Sequence, residues 1–399
     1  MTAERVAIAY DCLFPVNTGG GERVYRRIAE LLREHGAHVT YVTRRQWATD
    51  AAPHVPFDIV VVWRGEIYDE FGVRTSRSAL AFAFGLFRHF VRHRRDYDLV
   101  VVAALPVLNV FAVRAALVGR PTVLAVDWLE VWSARKWRTY AGTATGTVAS
   151  VLQWLGVRIG DILTVNSGFT RAKLRAARAD AEPIVLGLLD LVGPLRAPRP
   201  TTQAEADDHG AGYSDEDPYI LFIGRHVADK RLDALPPALA VARRESPRLR
   251  AKVVGSGPET DRARASAAAA GVTDHIVFLG RVDDAELERL LAASAVLVNP
   301  SAREGFGLVV AEAAAYGTPS VVVAGEDNAA AELVVDGENG FVAASVAPDV
   351  LGDAIVRAVR GGDELRRTTI AWFARERRER SLDRSVGEIL ERWRALSDR

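Results

Sequence analysis

The sequence predicts an α/β protein made of two doubly wound, Rossmann-like domains. Three observations carry that reading. Strand-like apolar runs alternate with helical patterns along the whole chain, the runs are continuously apolar, and one polar segment divides them into two similar series. Continuous Val/Ile/Leu strands separated by helices mean parallel sheets covered on both faces. With 399 residues, 49% hydrophobic and 26% charged, the chain has the length for two domains and an ordinary globular core.

In chain order, the strand "RVAIAY" (5–10) leads into the helix "GERVYRRIAELLREHG" (21–36), and "HVTYVT" (38–43) follows. "FDIVVVW" (57–63), "DLVVVAAL" (98–105), "PTVLAVD" (121–127) and "DILTVNS" (161–167) complete the first series of buried strands. The second series is "YILFIG" (219–224), "AKVVGSG" (251–257), "HIVFLG" (275–280), "AVLVNP" (295–300) and "PSVVVAG" (319–325). Between them, 196–218 is rich in Pro, Ala and acidic residues and poor in large apolar ones, which reads as an exposed linker. The expected organisation is a first domain over 1–195, the linker over 196–218, a second domain over 219–375 and a final helical segment over 376–399.

Composition excludes several classes. Formal net charge is zero, so nothing electrostatic points to a nucleic-acid partner. The single cysteine, Cys12, supports neither a disulfide framework nor a cysteine zinc site. No run of about 18 apolar residues predicts a membrane span, and the N-terminus lacks a signal-peptide layout, so the expected location is cytoplasmic. The apolar segment 79–95, ending in Arg and His, admits two readings: a core helix with a basic C-terminus, or a helix lying on the inner face of a membrane.

In doubly wound sheets ligands sit outside the C-terminal strand ends. After "YILFIG" come Arg225 and Lys230, a guanidinium and a point charge suited to a diphosphate; two solvated loop cations are the alternative. Basic charge is written almost entirely as Arg, with only four lysines in the chain, which draws notice to Lys230. The turn at Gly255–Ser256–Gly257 has Thr260 where a dinucleotide fingerprint needs its third glycine, so it reads as a tight turn. Gly19, Gly20 and Gly21 form a glycine-rich loop before the first helix, able to approach an anion. In "SAREGFGLVVAEAAAYGTP" the helix begins around Gly307 and stops near Gly317 and Pro319. Its first N–H groups favour phosphate, Glu304 stands in the loop ahead, and Glu312 is an acid in an otherwise apolar helix that is expected to be buried.

These segments together carry a resemblance. "FIGRHVADKRLD", "VVGSGP", "FLGRV", "EGFGLVVAEAAAYGTPSVV", "ENGFV", "GGGERV" and "NSGFTRAKL" look like the retaining family 4 glycosyltransferases of the GT-B fold, across nearly the whole chain outside the linker. The resemblance implies two Rossmann-like domains facing each other across a cleft, a last helix returning to the first domain, and a nucleoside diphosphate sugar as co-substrate. No separate cofactor or metal is implied. Arg225 and Lys230 would neutralise the diphosphate, and Glu304 would hold donor-sugar hydroxyls beside the amides of Gly305, Phe306 and Gly307. Leu308 and Val309 would offer N–H groups to phosphate, Glu312 would hold ribose, and Arg281 and Val282 would lie beside the base. Gly19 to Gly21 would approach phosphate or acceptor. UDP is the default nucleotide because uridine donors are common in the family; the acceptor is a small molecule, a lipid-linked molecule or a glycan.

Two departures concern the acceptor side. Where family members often carry a histidine, this chain reads "DWLEVWS", with Leu129 at the aligned position, Asp127 as the alternative polar substitute, and Glu130 nearby. The element before the linker is reduced to "LGLLD" (186–190). The competing readings are therefore a catalytically weak nucleotide-sugar-binding protein, or a partner of an active transferase.

Overall fold

The computed structural model describes residues 4–17, 19–48, 52–67, 75–192 and 217–398. Contacts group the chain into two compact units, one running to Leu191 and resuming at Arg380, the other from Val192 to Glu379. Apart from Asp217 and Pro218, the expected linker lies outside the described residues. Asp217, from the acidic triplet at 215–217, pairs with Arg250 at 3.1 Å.

The first unit runs β1 (Arg5–Ala9), α1 (Gly20–Glu34), β2 (His38–Arg45), β3 (Asp58–Arg64), α2 (Ser76–Arg92), β4 (Leu99–Ala103), α3 (Leu108–Ala116) and β5 (Val123–Trp128). It continues with α4 (Ala134–Ala141), α5 (Thr143–Gly156), β6 (Ile162–Val165), α6 (Gly168–Ala177) and the two-residue β7 (Ile184–Val185). The strands form one sheet in the order β3-β2-β1-β4-β5-β6-β7, every pairing parallel. Successive side chains leave opposite faces of a strand. Val100, Val102, Leu124 and Val126 accordingly share one core with Phe82, Leu86 and Phe90 of α2 and Val110 and Val113 of α3. Each such aliphatic or aromatic side chain removed from water contributes roughly 1.5–3 kcal/mol. Of the two readings of 79–95, the inner side of α2 therefore satisfies the core reading, while Leu80, Phe84, Phe87 and Val91 remain exposed on its outer side.

The second unit repeats the plan. Its elements are β8 (Tyr219–Ile223), α7 (Leu235–Glu245), β9 (Arg250–Val254), α8 (Thr260–Ala269), β10 (Ile276–Gly280), α9 (Asp284–Ala293) and β11 (Val296–Asn299). Then come β12 (Arg303–Glu304), α10 (Leu308–Ala315), β13 (Ser320–Val323), β14 (Asp327–Asn328), β15 (Gly340–Ala343) and α11 (Pro348–Glu379), kinked at Gly362. The main sheet runs β10-β9-β8-β11-β13-β15, and β12 pairs with β14 beside it. The last helix, α12 (Leu382–Ser397), belongs to the first unit. There Ser385 Oγ accepts from Gly187 N–H at 2.9 Å, and Asp190 accepts from Leu382 N–H at 2.8 Å. So "LGLLD" is the seat of the last helix.

Each sheet reverses its winding direction once, between β1 and β4 and between β8 and β11. At such a switch point the flanking loops diverge and leave a crevice at the strand C-termini, where ligands bind. The loops concerned are those after Ala9 and Ala103 in one unit, and those after Ile223 and Asn299 in the other. Among the described residues no helix is long and apolar enough to cross a membrane.

Candidate active site

The second unit's switch point holds the densest polar constellation that the sequence singled out. Leaving β8, Gly224 N–H donates to the Val254 carbonyl at 3.1 Å and His226 N–H to Ser256 at 3.0 Å. The loop then makes a short helical turn over Ala228–Lys230 and reverses at Arg231, held at φ 46°, a left-handed conformation that costs an L-residue about 1 kcal/mol. This reversal ends the turn just after Lys230, whose Nζ donates to Glu304 Oε1 in the loop after β11. Arg225 is exposed at the mouth of the same loop.

Glu304 is more firmly held than the sequence suggested. Its Oε1 also accepts from Asn299 Nδ2 at 3.1 Å and from Ser301 Oγ at 3.0 Å. Two further ties bind the loops together: Ala302 N–H to the Asp229 carbonyl at 2.8 Å, and Arg303 to Asp229 at 3.5 Å. Asn328 Nδ2 spans from Ser301 O to Val323 O, at 3.0 and 2.8 Å. Lys230, Asn299 and Ser301 all converge on one carboxylate oxygen, so Glu304 is oriented before any ligand arrives and Oε2 keeps acceptor capacity. An ammonium has three N–H donors, so one carboxylate contact does not exhaust Lys230. Sequence reasoning missed Asn299, Ser301 and Asn328; the only available signal was an Asn-Pro-Ser at the end of a strand.

α10 follows at once. Its N-cap is Gly307 at φ 94°, and a Cβ there would sit 2.6 Å from Ala330, so both conformation and space demand glycine. The first-turn N–H groups of a helix have no intrahelical acceptor, which leaves those of Leu308 and Val309 for a ligand. The structure corrects one expectation. Glu312 is half-exposed, because Val310, Ala311 and Ala313 to Ala315 take the buried side while Leu308, Val309 and Glu312 share the open one. Gly305 is half-buried and Phe306 buried at the approach to this face. A partly buried acid incurs less of the desolvation cost foreseen for it than a fully buried one would.

The neighbouring strand ends are knitted to the same edge. Gly255 N–H donates to Gly280 O at 2.7 Å, and β10 ends there with exposed Arg281 and half-buried Val282 beyond it. Thr260, at the place of the missing third glycine, donates to Gly257 O at 2.7 Å and meets His226 Nδ1 at 2.7 Å. It locks the 255–257 turn. Burial lowers the His226 pKa, so the ring is neutral near pH 7.

In the first unit, Gly19 caps α1, with Gly20 exposed and Gly21 half-buried. A Cβ on Gly21 would come 2.9 Å from the Tyr10 hydroxyl and 3.8 Å from Leu129 Cδ1, so the glycine-rich loop and Leu129 are neighbours. Asp127 is placed differently from the expectation that it contacts sugar or acceptor. It is fully buried; Tyr25 of α1 donates to Oδ2 at 2.5 Å and Thr164, its register partner on β6, to Oδ1 at 2.6 Å. Burial pushes its carboxyl up to about 6, with the two hydrogen bonds opposing. Asp127 is a brace joining β5 to α1. Glu130 accepts from the Trp132 indole N–H. Among the described residues no group of three His, Cys, Asp or Glu side chains comes together as metal ligands.

Each of the two parallel-sheet units carries its candidate loops at a switch point, the arrangement of a two-domain, doubly wound α/β protein. Comparison with known proteins agrees. Residues 19–186 match the glycosyl transferase 4-like domain, and residues 204–371 match glycosyl transferases group 1. A GDP-mannose-dependent alpha-(1-6)-phosphatidylinositol monomannoside mannosyltransferase of Mycobacterium tuberculosis is 31% identical over 283 residues, 66% of this chain and 69% of the relative. A D-inositol 3-phosphate glycosyltransferase of a Nocardioides species is 30% identical over 253 residues, 60% of this chain and 54% of the relative. Sucrose-phosphate synthase of Thermosynechococcus elongatus superposes with a TM-score of 0.75 at 19% identity, covering 98% of this chain and 99% of that one. The chain belongs to the family 4-like glycosyltransferases of the GT-B fold.

Proposed function

We propose that the protein is a retaining glycosyltransferase that takes a sugar from a nucleoside diphosphate donor bound in its second unit, without a divalent metal. The observation that carries this reading is the Lys230–Glu304 pair at the switch point, ahead of the open N-terminal face of α10. Arg225, Lys230 and the N–H groups of Leu308 and Val309 meet the diphosphate, Glu304 holds sugar hydroxyls, Glu312 holds ribose, and Arg281 and Val282 flank the base. As the bond from the anomeric carbon to the β-phosphate oxygen breaks, negative charge gathers on the diphosphate, where these fixed donors stabilise it. The acceptor oxygen bonds to the same face of that carbon, and its proton passes to the departing phosphate oxygen. A guanidinium and an ammonium here serve the role a divalent cation has elsewhere.

GDP-mannose replaces a uridine donor as the first candidate, because the mycobacterial relative is named for it. That name and the inositol phosphate of the second relative support an acceptor hydroxyl on a polyol or lipid headgroup. The test is a thermal-shift screen of GDP-, UDP-, ADP- and TDP-sugars, followed by product NMR with the best donor in EDTA. The expected result is a raised midpoint with GDP-mannose, turnover in EDTA, and an unchanged anomeric configuration. No donor shift, an obligatory divalent cation or an inverted product would each overturn the reading.

A further inference from the structure

Among the described residues Arg231 alone adopts a positive φ without being glycine, and it stands next to Lys230. At φ 46° and ψ 42° it separates the turn over Ala228–Lys230 from a second turn over Leu232–Ala234 that leads into α7. Glycine makes such a reversal freely, and asparagine with less strain than arginine. The backbone gains nothing from an arginine here, and an outlier of this kind directs attention to its side chain.

That side chain lines a cavity of about 230 Å³ within the second unit. Val227 and Val346 supply apolar lining, while Asp233, Glu259 and Arg262 supply charge. Arg262 is already engaged, at 2.9 Å from Asp233 and 3.5 Å from Glu259. Arg231 is half-buried, and among the described residues its guanidinium has no hydrogen-bond or ion-pair partner. Partial burial strips water from a charged fork of five N–H donors without replacing it, a loss that an oxyanion corrects. Asp233 and Glu259 each have lone pairs beyond their one contact with Arg262, so both can accept from hydroxyls.

The cavity is distinct from the donor constellation. Neither Glu304 nor any residue of α10 lines it, and Lys230 turns instead to Glu304. The two places share one loop. Val227, Ala228 and Arg231 border the cavity, while the Asp229 carbonyl accepts from Ala302 N–H at 2.8 Å in the loop that carries Glu304. A ligand on Arg231 therefore touches the segment that brings Lys230 to Glu304.

We propose that this cavity is an effector site for a hydroxylated phosphate ester, with the phosphate on Arg231 and hydroxyls on Asp233 and Glu259, and that its occupancy steadies the Lys230 turn and raises donor affinity. Two cations and two carboxylates suit a ligand with both an oxyanion and hydroxyl donors better than a bare anion. The coupling rests on the donor reading above; the binding of the ester does not.

The experiment is titration calorimetry of the full chain with glycerol 3-phosphate, and with glycerol as the uncharged control. It is run in the Lys230→Ala variant, which weakens phosphate binding at the donor positions. The expected result is saturable binding of the ester, none of glycerol, and at least roughly tenfold weaker ester binding when Arg231→Gly is added. The ligand-free melting midpoint should not fall on that addition, because glycine relieves the reversal. If the glycine variant fails to fold, Arg231→Asn makes the same test in a residue that tolerates the conformation. In wild type the ester should tighten donor binding roughly fivefold or more, and the donor should tighten ester binding by the same factor. No ester binding, or equal binding with and without Arg231, would overturn the site. A donor affinity indifferent to the ester would overturn its effector role. Arg231-dependent ester binding in a protein that takes no nucleotide sugar would instead sink the donor reading and leave the site standing.

Discussion

The two units share the same order over six strands, with a seventh at the edge of the first, and each has one switch point, yet they treat polar residues at their strand ends in opposite ways. In the second unit the loops after β8 and β11 are tied to each other through side chains: Lys230, Asn299 and Ser301 all meet Glu304 Oε1, at a half-exposed edge beside the open face of α10. In the first unit the carboxylate near the end of β5, Asp127, is buried under α1, and the residue that reaches the glycine-rich loop is Leu129. One half presents pre-oriented charge at its edge. The other uses its charge as internal bracing and presents a hydrocarbon surface. The same scaffold thus carries outward polar groups of the kind a phosphate-bearing ligand needs in one unit, and a less charged surface where they face in.

The sharpest way to break this contrast is Lys230→Ala. Glu304 keeps its bonds from Asn299 and Ser301, so the fold should persist while donor binding or turnover falls by about 2–5 kcal/mol, the range for losing a charge-assisted ligand contact. Kinetics with the best donor, alongside a melting curve, check it; wild-type kcat/KM in the variant would remove Lys230 from the site.

Asp127 offers the next largest effect, on stability. Its folded pKa of about 6 lies above the ordinary 3.8, so the native state keeps a proton that the unfolded chain has released between those values. This group's contribution is fully present below pH 3.8 and is lost as pH rises through 6, by at most about 3 kcal/mol. Asp127→Asn should remove that dependence, so its stability relative to wild type improves between pH 4.5 and 7. Denaturation curves at both pH values measure the difference, and an identical pH profile in the two proteins would contradict the assignment.

The smallest expected effect concerns Leu129. Leu129→His places a polar ring beside Gly21 and should shift preference between matched hydroxyl and deoxy donors by up to about 100-fold, without abolishing activity in either protein. Paired donor assays decide it. A wild type inactive with every donor, beside an active histidine variant, would mean a binding protein rather than an enzyme.

Much of this was legible beforehand, and the particulars show why the rest was not. The sequence by itself determined the two parallel sheets, because continuous apolar runs between helices fit strands buried on both faces by crossover helices, and it marked Lys230, Glu304 and the glycine at the head of α10. Those are local signals: periodicity, a break in it, a residue type where the backbone demands one. Tertiary structure alone decided which oxygen of Glu304 is held, since its cation comes from 74 residues away and its other donors depend on how one loop folds back on its strand. It also decided that Glu312 sits on the more open side of α10, that Asp127 faces inwards, and that Leu80, Phe84, Phe87 and Val91 of α2 are exposed among the described residues. Each of these is a question of which face of an element its neighbours occupy. Periodicity reveals that an element has faces, but only the packing of distant segments settles which face meets water.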